Sequence, residues 1–248
     1  MRHDELYKTY SIWKQSYTVG SYRDIPLLYG TRFDLPEFRW LPAKKSARIA
    51  EVGCGTGEFL SILRRRGYVN LSGCDINAPE RLPPEVRFEK SDAFAFLGRF
   101  ADDSVDAVIG RSVLEHLVRE DAGRFFALLE AKLAPGGRAL LIVPNMSSPL
   151  GLAHGFGDLT HELQLTPSSL DQLITASVGR RLDLKIHPYP SLLRRSLSPR
   201  NWLFLPFLVF AIAGLRALAL AYGQNKTVLS PDLLVVVEKR READEGLL

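Results

Sequence analysis

The apolar positions of this chain change rhythm along its length, and each rhythm implies an element. Residues 49–52 form a short apolar run ending in a glycine loop, as a buried strand does. Phe59, Ile62 and Leu63 follow at helical spacing and Gly67 ends them, which predicts a short helix. Residues 69–74, 86–88 and 105–109 read as the second, third and fourth strands. Ala122, Phe125, Phe126, Leu129 and Leu133 mark one face of a helix, which Pro135-Gly136-Gly137 is expected to stop. Residues 139–143 make a fifth strand closed by Pro144. Thr166 before Pro167 predicts a helix start, with Thr as N-cap and Pro at the first helical position. Leu182, Leu184 and Ile186 alternate as a half-buried strand does, and residues 233–237 form the last strand. Strands alternating with helices predict a three-layer α/β sandwich around a mostly parallel sheet.

Two segments fall outside that rhythm. Residues 1–45 carry Tyr7, Tyr10, Trp13, Tyr17, Tyr22, Tyr29 and Trp40, interrupted by Pro26, Pro36 and Pro42. They are expected to form an aromatic-rich cap on a single domain spanning 46–248. Residues 202–222 are apolar almost throughout and follow a basic lead-in of Arg180, Arg181, Lys185, Arg194, Arg195 and Arg200. A continuous helix there would nearly match a bilayer core of about 30 Å. A single span is nevertheless rejected, because residues 233–237 must rejoin the same sheet. Arg216 would also cost about 3 kcal/mol at a bilayer centre, and Pro206 and Gly214 suggest a broken helix. The expectation is a helical insertion over 200–224. It could lie on a membrane surface, pack over an acceptor pocket or form a homodimer contact.

Composition narrows the classes. Of 248 residues, 46% are hydrophobic and 24% charged, which suits a globular chain with a full core. The formal charge of +4 is small for a nucleic-acid binder, so no nucleic acid is expected. Cys54 and Cys74 have no metal-ligand spacing and read as reduced thiols, and the N-terminus lacks an apolar run. A cytoplasmic protein is expected, peripheral on the inner membrane face if residues 194–222 bind anionic lipid.

The candidate chemistry starts at Glu51-Val52-Gly53-Cys54-Gly55-Thr56-Gly57, between the first strand and first helix. Glycines there let the backbone turn tightly and approach a ligand. The dinucleotide pattern would need a sixth-position glycine, where this chain has Glu58, and a carboxylate competes with pyrophosphate. Glu51 instead suits a ligand carrying an ammonium group. Asp75 ends the second strand, about 20 residues beyond the turn, where an acid accepts from a ribose diol. Asp92 follows the third strand, where nicotinamide folds need no acid and an adenine amino group could donate.

The segments EVGCGTG, GCDIN, KSDAF, DAVIGRSVLEHL and LAPGGRALLIVPN lie in order over residues 47–145. Together they resemble the class I S-adenosylmethionine (SAM)-dependent methyltransferases. That resemblance implies a Rossmann-like, seven-stranded sheet whose last strand runs antiparallel, with SAM as methyl donor. It implies that Glu51, Gly53, Gly55 and Gly57 hold the methionine part and that Asp75 holds the ribose. Ile76 would pack on adenine, Asp92 with the Ala93 backbone would read its edge, and Arg111 would lie near the methionine end.

Methyl transfer to an alcohol also needs a proton acceptor, and histidine titrates in the useful range. His116 lies in VLEHL, while His154 and His161 are placed in the loop after the fifth strand. Gly157-Asp158-Leu159-Thr160-His161 with Leu165-Thr166-Pro167 is similar to a pattern of methyltransferases in surface-polysaccharide pathways. On that basis His161 is the candidate base and Asp158 its orienter or a substrate contact. His116 is catalytic or structural, and structure is the stronger reading. Asp158 and His161 alone do not establish a metal site. The acceptor expected is a small molecule or glycan, in particular a sugar hydroxyl on a glycan or lipid-linked precursor. A lipid or quinone acceptor, or a scaffold that no longer catalyses, remain as alternatives.

Overall fold

A computed structural model describes residues 35–77, 82–189, 205–223 and 228–241. The first strand, β1 (Arg48–Val52), is followed by α1 (Glu58–Arg65), β2 (Asn70–Asp75) and β3 (Arg87–Lys90). Next come α2 (Ala93–Gly98), β4 (Val105–Arg111), α3 (Arg119–Lys132) and β5 (Leu133–Pro144). The chain continues through α4 (Pro149–Phe156), α5 (Pro167–Val178), β6 (Leu182–Tyr189), α6 (Leu205–Ala221) and β7 (Asp232–Lys239). The seven strands form one sheet in the order β3-β2-β1-β4-β5-β7-β6. β1 through β5 pair in parallel. β7 runs antiparallel to both neighbours, which leaves β6 parallel to the rest.

Strand alternation sorts side chains into two cores. Ala50, Val52, Val108, Leu141, Val143, Val235 and Val237 pack with Phe125, Phe126, Leu129, Leu170 and Ile174 of α3 and α5. Ile49, Ala107, Ile109, Leu140, Ile142 and Val236 face the other way, onto Phe59, Leu60 and Leu63 of α1 and onto Leu35 and Leu41. Glu51 shares the parity of Ile49, and Arg111 that of Ile109. Both therefore emerge on the α1 side, at the sheet edge where the parallel strands end.

Several sequence expectations need correction. The Pro135-Gly136-Gly137 triplet does not separate α3 from β5. The strand starts at Leu133 opposite Val105 and resumes at Arg138 opposite Ala107, so the triplet forms a bulge within it. The short helices α2 and α4 were not foreseen. His154 accordingly stands on α4 and not in a loop, while His161 is in the loop beyond it. Helix α6 is continuous, because Pro206 falls in its first turn, where a missing N–H costs no intrahelical bond. Among the described residues, no helix is long and apolar enough to cross a membrane.

The basic lead-in divides. Arg181 pairs with Glu130 at 3.6 Å and Lys185 with Glu238 at 3.8 Å, while Arg194, Arg195 and Arg200 lie outside the described residues. Trp202 and the cap aromatics Tyr7 through Tyr29 also lie outside them. Trp40 is described, and its ring packs against that of His187 at 4.9 Å with a tilt of 33°.

Candidate active site

The β1–α1 turn holds Gly53, Gly55 and Gly57 at φ of +63°, +53° and +79°, a region that L side chains avoid. At Gly53 a Cβ would also sit 2.5 Å from Val113 Cγ2, so both conformation and space demand glycine. The turn is tied to β2 through Asp75. Its Oδ2 accepts from Gly55 N at 2.8 Å, and its Oδ1 from Asn77 N at 2.9 Å. Each carboxylate oxygen keeps a further lone pair, so these bonds stiffen the acid without exhausting it. Ile76, the next residue, is exposed at the same edge.

Asp92 is the N-cap of α2, its Oδ1 accepting from Phe94 N at 2.8 Å and Ala95 N at 2.9 Å. The sequence reading took it as a ligand contact or a turn residue and did not foresee the helix cap. Ala93, at the first helical position, has an N–H with no intrahelical acceptor. Both cysteines are buried. Burial, the main cause, pushes the Cys74 thiol up to about 12, and burial likewise pushes the Cys54 thiol up. Packing, not nucleophilic chemistry, is their role here.

Beneath the turn lies a buried acid pair. Glu51 is 2% exposed and Glu37 is fully buried. The Tyr189 hydroxyl donates to Glu37 Oε1 at 3.1 Å, and Arg111 Nε lies 4.0 Å from that oxygen. The Oε2 of each acid is buried without a hydrogen bond. Burial, opposed by Arg111 and reinforced by Asp75 and Glu37, pushes the Glu51 carboxyl up to about 8. Burial also raises Glu58, in the first turn of α1. A cationic ligand group would relieve the strain of this pocket. Glu37 was missed in sequence, since it reaches the site through Tyr189, 152 residues away.

A second cluster sits at the same edge, where β4 gives way to the tight turn Leu114–His116. The rings of His116 and His161 lie 4.7 Å apart, and those of His154 and His161 6.2 Å. His161 Nδ1 donates to the Gly155 carbonyl at 2.8 Å. Its Nε2 lies 4.0 Å from Glu115 Oε1 and 3.9 Å from Asp158 Oδ2. Asp158 Oδ1 accepts from the Thr160 hydroxyl at 2.6 Å and from Thr160 N at 2.9 Å. Burial raises the Asp158 carboxyl, but the Thr160 bonds with His161 and His116 outweigh it and leave a net lowering. His116 Nδ1 contacts the Thr160 carbonyl at 3.2 Å and its hydroxyl at 3.0 Å. That hydroxyl's proton serves Asp158, so His116 Nδ1 is the donor to both oxygens. His154 instead pairs with Asp232 at 2.8 Å, and that hydrogen bond raises its pKa against the opposing effect of burial.

Two separate groups of expected residues thus stand at this sheet edge: Glu51, the glycines, Asp75, Ile76, Asp92, Ala93 and Arg111 around the glycine turn, and His116, Asp158 and His161 beyond β4. Glu115 was overlooked although it adjoins His116 in VLEHL.

Comparison with known proteins agrees with this architecture. A S-adenosylmethionine-dependent methyltransferase from Archaeoglobus fulgidus superposes with a TM-score of 0.62 at 21% identity, over 93% of this chain and 99% of that one. The Burkholderia thailandensis 1,6-didemethyltoxoflavin-N1-methyltransferase, solved with S-adenosylhomocysteine, superposes at 0.56 with 15% identity, over 96% and 87%. These likenesses establish the fold. In sequence, 103 residues are 26% identical to cyclopropane-fatty-acyl-phospholipid synthase of Escherichia coli, covering 41% of this chain and 27% of that protein. Another 112-residue match is 30% identical to trans-aconitate 2-methyltransferase of Variovorax paradoxus, covering 42% and 41%. The matched stretches thus span less than half of each of these relatives. The family profile described as "Methyltransferase domain" matches residues 29–183, and the chain belongs to that family.

Proposed function

We propose that this protein transfers a methyl group from SAM to a hydroxyl oxygen, with a sugar of a glycan or lipid-linked glycan precursor as acceptor. The methyltransferase domain is taken as residues 46–248 and the N-terminal 45 residues as its cap. One observation carries the oxygen-acceptor reading. His161 has its Nδ1 tied to a carbonyl and its Nε2 beside two carboxylates, at the same sheet edge as the glycine turn.

SAM supplies a methyl carbon on a sulfonium, which leaves as a neutral thioether. The orphaned oxygens of Glu51 and Glu37 suit its ammonium group, and the Gly53–Gly57 turn makes room for its methionine part. Asp75 has lone pairs for the ribose hydroxyls. Ile76 would cover an adenine face, Asp92 Oδ2 and the Ala93 N–H would meet its edge, and Arg111 would hold the methionine carboxylate. With SAM bound, the methyl carbon would pass to the acceptor oxygen as its bond to the departing thioether sulfur breaks, and His161 Nε2 would take up the hydroxyl proton. Glu115 and Asp158 stabilise the imidazolium so formed. His116 braces Thr160, and through it Asp158. Alignment of acceptor and methyl along one line supplies much of the acceleration.

The test is incubation with SAM and candidate lipid-linked glycans, followed by mass spectrometry for added methyl groups. His161→Ala should slow turnover by roughly 100-fold or more while SAM affinity stays near that of the wild type. Unchanged turnover would remove His161 from the chemistry. A second reading, a lipid acceptor, is favoured by the exposed apolar α6 and by the match to cyclopropane-fatty-acyl-phospholipid synthase. Methylated lipid with no methylated glycan would select it.

A further inference from the structure

We propose that Glu115, His116 and His161 form a binding site for a divalent transition-metal ion of the zinc type. Each offers one donor atom, and the three atoms lie within 4.8 Å of one another. Glu115 is 1% exposed, His116 9%, and the His161 side chain 6%. Asp158 Oδ2, 3.9 Å from His161 Nε2, is a further oxygen within reach of the same point.

The donor chemistry selects the ion. Two imidazoles and a carboxylate suit zinc-like ions, whereas magnesium and calcium want oxygen alone. Metal bonds of about 2.0–2.2 Å set neighbouring donors roughly 3.3 Å apart around a tetrahedral ion. The 4.0 Å from His161 Nε2 to Glu115 Oε1 must close by about 0.7 Å, and separations of up to 4.8 Å in the trio by up to about 1.5 Å, a shift that side-chain rotation supplies. Ring orientation is already set. Gly155 O accepts from His161 Nδ1 and Thr160 O from His116 Nδ1, so in each neutral ring Nε2 carries the lone pair. Carbonyls in that outer position fix the tautomer of metal-ligating histidines. Three protein ligands leave a fourth position for water or a substrate oxygen.

This site shares His161, Glu115 and His116 with the proposed proton acceptor but no ligand with the glycine turn and acid pair that suit SAM, so the ion can be tested apart from SAM binding. His161 Nε2 cannot hold an ion and take up the hydroxyl proton at once. The loaded and metal-free proteins therefore differ in what deprotonates an acceptor.

Cobalt(II) is the probe, because its visible absorption reports a low-coordinate nitrogen–oxygen site. Full-length protein freed of metal by chelation and desalting should take up one Co2+ per chain with visible bands. Zn2+ should abolish the bands and excess Mg2+ should leave them. His161→Gln and Glu115→Gln should weaken Co2+ binding by more than the roughly 10-fold that loss of an outer partner can cost. Their circular dichroism and SAM affinity should match the wild type. Absent bands in the wild-type protein would overturn the proposal whether or not the variants fold. Equal Co2+ affinity in wild type and both folded variants would do the same. Bands that fail while SAM binding and methyl transfer persist sink only the metal site. Lost SAM binding with intact bands sinks only the transferase reading.

Discussion

At the scale of single residues, the cost of the site is concentrated at Glu51, whose carboxyl is raised to about 8 by burial. An acid with a raised folded pKa stabilises the fold below its unfolded pKa, and that stabilisation is lost as pH rises from about 4.5 through about 8. At neutral pH the SAM-free protein therefore holds Glu51 largely protonated. An arriving ammonium favours the carboxylate, so SAM binding should release a proton. Calorimetry at pH 7 in buffers of different ionisation enthalpy should detect that release, and Glu51→Gln should lose it together with SAM affinity. The same variant should gain thermal stability in the SAM-free state at pH 8, because no charge needs burying. Unaltered proton release in Glu51→Gln would show that another group senses the ligand. Glu51 was legible in the sequence because it adjoins the glycine turn. Glu37 was not, because no local spacing encodes a bond to Tyr189, and Asp92's cap became visible only once α2 was known.

At the scale of elements, the long apolar periods were legible and the short glycine-bearing pieces were not. The Thr166 cap appears as expected, with Ser169 completing a reciprocal box. Helix α4 carries a comparable signal, Ser148 as N-cap and Pro149 behind it, but Gly151 and Gly155 depress its helical propensity. Those glycines are there for contact. A Cβ on Gly151 would overlap the Asn145 carbonyl, and one on Gly155 would overlap the Met146 sulfur. This close approach positions His154 beside Asp232 and the Gly155 carbonyl beneath His161. Gly151→Ala must therefore push α4 away from backbone that cannot yield. It should cost about 1–3 kcal/mol in urea unfolding and reduce methyl transfer more than SAM binding. Gly214→Ala is the control: it lies within α6 with nothing near its Cβ, and it should stabilise by up to about 1 kcal/mol. Equal effects at the two positions would remove the packing argument.

At the scale of the whole molecule, strand direction decides where the apolar insertion can act. β6 runs with the parallel strands and ends at Tyr189, and β7 runs against them and begins at Asp232. The chain between them therefore leaves and re-enters at the edge that carries the glycine turn and the histidines. Its helix α6 has 17 residues, about 25 Å at the usual rise and short of a bilayer core of about 30 Å. Phe207 is 74% exposed, Phe210 81% and Tyr222 78%, with Val209, Leu218 and Leu220 also exposed. A helix this apolar on an exposed surface suits lying within a lipid interface. The protein should co-float with anionic liposomes. High salt should weaken flotation, because Arg194, Arg195 and Arg200 precede the helix in the chain and their attraction is screened. Phe207→Ser with Phe210→Ser should abolish flotation and leave SAM binding unchanged, since neither residue belongs to the SAM pocket. If the wild-type protein stays with the soluble fraction and behaves as a dimer whose subunits bury these phenylalanines, α6 is an interface between copies and the acceptor must arrive by another route.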